Sequence, residues 1–107
     1  MDDLTKQVLD WVNSVRERYD APTLADLAQG KVAEAENCPI SNSLVGGKVK
    51  AACVYASFFL YRKPITLRSL SRGDSLLESE EAPDHVFKWI KQFDAGYYEE
   101  YNARDRS

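Results

Sequence analysis

The chain has 107 residues, 44% of them apolar and 29% charged, with a formal net charge of −3. That length makes one domain over 1–107, able to bury roughly 60–70% of its extended surface without a metal or disulfides. No apolar run approaches the ~20 residues of a membrane span, no signal-peptide pattern opens the chain, and the excess of acids excludes a polycation that coats nucleic acid.

Leu4, Val8, Trp11, Val12, Val15 and Tyr19 recur at helical spacing and predict an amphipathic helix over 3–19. Asp3 is the expected N-cap, and Arg16 and Arg18 suit the helix C-terminus. The apolar stripe needs a partner surface. The protein's own core is the first expectation, and a homodimer through this helix is the second. After Asp20-Ala21-Pro22, the run Thr23-Leu24-Ala25-Asp26 has the capping-box pattern, which predicts a short helix through Ala28 ended by Gly30. Residues 30–37 read as a loop. A second short helix is expected from Cys38 to Val45, with Pro39 near its first position and Gly46-Gly47 stopping it.

The character changes at Lys48. Val49, Val54, Tyr55, Phe58, Phe59, Leu60 and Tyr61, a break at Pro64, and the alternation Ile65-Thr66-Leu67-Arg68 predict two or three antiparallel strands across 48–70. A buried helix over 50–61 is the competing reading. Residues 74–84 are acid-rich and read as an exposed loop. Pro83 and Asp84 open a final helix to about Asp94, with Val86, Phe87, Ile90 and Phe93 facing inward, Trp89 at the edge and Gly96 ending it. Residues 97–101 can add a helical turn, and the tail after Asn102 is expected to fray. The fold class is therefore α+β: an N-terminal helix, two short helices, a small antiparallel sheet and a C-terminal helix.

Chemistry-bearing residues are few. Two cysteines without a C-x-x-C pairing and one histidine do not make a zinc site, and no metal or other cofactor is expected. Without a secretion signal the expected compartment is the cytoplasm, where thiols stay reduced. Cys53 reads as a small core residue. Cys38, at a helix start, is the basis for the least favoured reading, a small cysteine-dependent enzyme. Phosphate-binding glycine loops, a serine nucleophile elbow, H-E-x-x-H and EF-hand patterns do not occur, so no catalytic residue is assigned. Arg72-Gly73-Asp74 is ordinary turn chemistry.

The charges are unevenly placed. Residues 1–36 have a net charge of −4 and residues 74–107 a net of −5, whereas residues 37–73 carry six bases and no acid. Lys48, Lys50, Arg62, Lys63 and Arg68, interleaved with Tyr55, Phe58, Phe59 and Tyr61, support an alternative reading as a nucleic-acid interface. The favoured reading is that acidic neighbours neutralise these bases within the fold. The C-terminal aromatics are dense: helical spacing puts Trp89, Phe93 and Tyr97 on one side and Tyr98 and Tyr101 on another. One set is expected in the core. Tyr98 and Tyr101, with His85 at the start of the last helix, are the candidate partner-binding residues, because exposed tyrosines are common interface anchors. His85 itself is expected to be solvated.

Three stretches carry a resemblance: Trp11-Val12-Asn13-Ser14-Val15-Arg16, Asn37-Cys38-Pro39-Ile40-Ser41-Asn42-Ser43-Leu44, and 83–97 with its late Phe93-Asp94-Ala95-Gly96-Tyr97. Over about half of the chain they resemble small proteins of mycobacteriophages and related actinobacteria, marked by a Cys-Pro helix start and an F-D-x-G-x-Y helix end. That family has no assigned chemistry, so the resemblance supplies no catalytic residues. It implies a phage-encoded, non-enzymatic interaction protein that binds, and in some cases inhibits, a bacterial host protein.

Overall fold

The computed structural model describes residues 1–34, 36–54, 65–68, 76–80 and 82–103. The first helix, α1, runs Asp3–Arg18. Its N-cap is Asp2, one residue before the expected Asp3, and the Asp2 carboxylate accepts the Thr5 N–H at 2.8 Å. Val8, Leu9, Val12 and Val15 are buried, with Leu4, Trp11 and Tyr19 packed around them. The stripe is thus consumed inside one chain. Its burial accords with the first expectation for this stripe, the protein's own core.

The helix expected over 23–28 is absent, and the segment bends instead. Asn13, on α1, takes both main-chain groups of Leu24: its Oδ1 accepts the Leu24 N–H at 2.8 Å and its Nδ2 donates to the Leu24 carbonyl at 3.0 Å. The Ala28 N–H goes to Ser43 Oγ and the Leu27 N–H to Asp26 Oδ1, each at 2.8 Å. Side chains satisfy the backbone here, so intrahelical bonds lose their advantage.

Helix α2 spans Pro39–Leu44 as expected. Cys38 is its N-cap: the sulfur accepts the Ser41 N–H at 3.3 Å, and Ser41 Oγ accepts the Cys38 N–H at 3.0 Å. Pro39 fills the first position, where its missing N–H costs nothing.

Gly30 ends no helix. Its N–H donates to the Tyr101 carbonyl at 2.9 Å, and its own carbonyl accepts the Ala103 N–H at 2.8 Å, forming a parallel bridge to Asn102. The tail expected to fray beyond Asn102 is therefore held at Ala103, and 104–107 lie outside the described residues. On its other side Gly30 lies against the 37–39 backbone. An added Cβ would sit 2.6 Å from the Asn37 carbonyl oxygen and closer still to Cys38 C and Pro39 N. These are main-chain atoms that cannot yield, so Gly30→Ala is expected to cost about 1–3 kcal/mol. A urea midpoint unchanged from the native protein would contradict this packing.

Strands β1 (Ala51–Val54), β2 (Ile65–Arg68) and β3 (Leu76–Glu80) form an antiparallel sheet in that order. Ala51 pairs with Arg68 and Val54 with Ile65. Ile65 in turn pairs with Glu80, and the β2–β3 register shifts between Leu67 and Arg68. The first two strands lie where strands are predicted. The backbone over 51–54 is a strand rather than the start of the competing 50–61 helix, whose remainder lies outside the described residues. β3 corrects the reading of 74–84 as loop throughout. An edge strand needs only main-chain partners, and charged residues are ordinary there.

Helix α3 runs Asp84–Asp94, and the chain turns at Gly96 with φ +101°. Trp89, expected at the edge, is completely buried, whereas Phe87 is only partly covered. The indole N–H donates to Thr5 Oγ1 of α1 at 3.0 Å, so the largest side chain enters the core with its one polar atom satisfied. α1 packs on α2 and α3, and α2 on β1.

Candidate functional site

The C-terminal aromatics divide differently from the helical-spacing prediction. Phe93 and Tyr98 stack on Trp89 with ring centroids 5.5 and 5.0 Å away, and Tyr101 meets it edge-on at 5.6 Å. Tyr101 is 6% exposed, Tyr98 is partly buried, and Tyr97 is 66% exposed. This corrects the expectation that Tyr98 and Tyr101 form the exposed set. Helical spacing holds only while the helix continues. The turn at Gly96 folds the following residues back onto α3, ending in a 3-10 helix over Glu99–Tyr101.

The turn is tightly determined. Tyr98 adopts the left-handed conformation, φ 59° and ψ 46°. For a bulky side chain this costs about 1–3 kcal/mol and persists only where the surroundings hold it. Its ring rests on Trp89 and its hydroxyl donates to Gln92 Oε1 at 3.0 Å. Tyr101 is fixed likewise: its hydroxyl donates to Asp26 Oδ1 at 2.7 Å, and burial, then this bond, push its phenol above the ordinary value of 10. Tyr98 and Tyr101 thus form the underside that leaves Tyr97 outward.

A second segment lies beside this turn. Gln29 Nε2 donates to the Glu100 carbonyl at 3.0 Å, Gly30 bridges to Asn102, and the Ala33 N–H donates to Asp94 Oδ1 at 3.1 Å. Residues 29–34 therefore run along 94–103. Ala33 also has a left-handed backbone, φ 60°, next to Val32, which is 36% exposed. Two strained non-glycine residues sit beside two of the exposed large apolar side chains, on segments bonded to each other. Sequence reasoning missed Tyr97 and Val32. The signal at hand was Gly96, placed to break the spacing from which Tyr97 was assigned inward.

The other candidates fall elsewhere. His85 is partly buried rather than solvated. Its Nε2 is enclosed and finds no hydrogen-bond partner among the described residues. Cys38 is 5% exposed, with its sulfur engaged in capping α2. Lys48 and Lys50 are exposed, and Lys48 Nζ pairs with Asp20 at 3.1 Å, an exposed contact of small energetic weight. Arg68 closes β2, next to the strand contributed by the acidic segment, while Arg62 and Lys63 lie outside the described residues. Of these five bases, Lys48 and Lys50 have described side chains, and the Arg68 backbone pairs with Ala51, the residue after Lys50.

A base that does matter to the fold is Arg16, 5% exposed on the buried stripe of α1. Its Nε donates to the Pro22 carbonyl at 2.8 Å, and one terminal nitrogen donates to the Ser43 and Val45 carbonyls, each at 2.7 Å.

Among the described residues, no helix is long and apolar enough to cross a membrane, and no group of three His, Cys, Asp or Glu residues is placed to hold a metal ion. No protein-family model, no curated protein and no solved structure matches this chain.

Proposed function

We propose that this chain is a non-enzymatic interaction protein whose binding face is built by 29–34 and 94–103, with Tyr97 as its anchor. One observation carries the reading: an aromatic side chain left two-thirds exposed by a turn that strains its neighbour Tyr98 and rests on the central tryptophan. Strain of this kind is retained where a surface must hold one shape, and a pre-shaped exposed tyrosine is what interface hot spots are made of. Tyr98 and Tyr101 act as supports beneath the anchor rather than as contact residues. The resemblance to mycobacteriophage proteins makes the chain phage-encoded in this proposal, acting in the bacterial cytoplasm on a host protein.

The test is a tagged pulldown from a bacterial host lysate, comparing the native chain with Tyr97→Ala and Cys38→Ser. Serine keeps the cap of α2, so the second variant removes the thiol without removing the helix start. The native chain and Cys38→Ser are expected to retain one stoichiometric partner. Tyr97→Ala should weaken the complex about tenfold or more. Undiminished binding by Tyr97→Ala would refute the assigned face, and loss of the complex with Cys38→Ser would favour thiol chemistry instead.

A further inference from the structure

Charge on the same face narrows the partner's chemistry. Glu34 and Glu36 follow Val32 on one segment, and Glu100 follows Tyr97 on the other; all three are exposed. The segments are bonded through Ala33–Asp94 and Gln29–Glu100. Lys31 is the sole base within 29–36 and 94–103. Exposed carboxylates therefore outnumber bases on the two segments that carry Tyr97 and Val32, with Lys91 at the end of α3 the nearest base in the chain before the second of them.

We infer that this face takes an arginine- or lysine-bearing segment of a partner protein. The inference rests on the interaction reading above and deepens it. A guanidinium stacks on an aromatic face while donating to neighbouring carboxylates, which the Tyr97 ring and the glutamate rim offer together. A second copy of the chain is a poor occupant, since a two-fold contact sets the same acidic rim against itself. A phosphate-bearing ligand meets the same repulsion.

The test is an amide-shift titration of the full chain with three short peptides: one carrying arginines spaced by glycine, one with leucine in their place, and one with glutamate. The arginine peptide is expected to shift amides of 31–36 and 94–100, and the glutamate peptide none. The triple variant Glu34→Gln, Glu36→Gln, Glu100→Gln should bind the arginine peptide about fivefold more weakly. Shifts scattered over other acidic surface, or equal binding by the triple variant, would overturn the inference. If leucine moves the Tyr97 face and arginine does not, the cationic partner is wrong while the face stands. If neither peptide moves it, both readings fall.

Discussion

Trp89→Ala is expected to lower the stability of the folded chain by about 3–5 kcal/mol, the range for removing a large aromatic from a packed core. Trp89 is completely buried, touches Phe93, Tyr98 and Tyr101 with its rings, and ties α3 to α1 through Thr5. Its removal opens a cavity that three aromatic rings cannot all collapse into. Against a typical total of about 5–15 kcal/mol, that loss leaves a substantial unfolded population. It also removes the platform that holds Tyr98 in a left-handed conformation, so the 94–103 turn should loosen. Urea unfolding gives the stability change. Amide exchange over 96–101 gives the local one, which should exceed that of a core variant remote from the turn, such as Val15→Ala.

Arg16→Met should cost about 2–4 kcal/mol, although it replaces a charged residue by an apolar one of similar length. The guanidinium serves the carbonyls of Pro22, Ser43 and Val45, joining α1, the following connection and the end of α2. The last carbonyls of α2 have no intrahelical donor, which makes a cation welcome there. Burial draws the Arg16 guanidinium below its ordinary value, yet an arginine stays protonated at neutral pH. Methionine leaves the three acceptors without their donor, and each buried orphan is penalised by about 1–3 kcal/mol, short of additively. Arg16→Lys should fall between the native chain and Arg16→Met, because one ammonium cannot reproduce the planar fork. Equal urea midpoints for Arg16→Met and the native protein would show that water serves those carbonyls equally well.

What the sequence discloses about this fold depends on where each hydrogen bond goes. α1, α2 and α3 were legible because apolar spacing and local caps act within a few residues. The strands at 51–54 and 65–68 were legible from their β-branched alternation. The 23–28 segment was misread because its helix-start pattern competes with Asn13, a partner ten residues or more away that no local rule anticipates. β3 was hidden because its acidic residues resemble a solvated loop, while its stability comes from main-chain pairing with β2. Arg16 occupies the position after Val15 on the apolar stripe, and a base there signals a buried partner. The favourable helix-end placement of that charge accounted for it too easily. The candidate face was half legible. Its aromatic density was visible, but which tyrosine points outward depends on the reversal at Gly96.

The central claim is that Tyr97 contacts a partner protein and that the basic 48–50 segment does not. Site-specific photo-crosslinking tests it most directly, with a benzophenone amino acid in place of Tyr97 in one preparation and of Lys50 in another. Both positions are exposed, so neither replacement should disturb the core. In host lysate the account predicts one protein adduct of defined mass from position 97 and none from position 50. An adduct from position 50 alone, or a nucleic-acid adduct there, would contradict it.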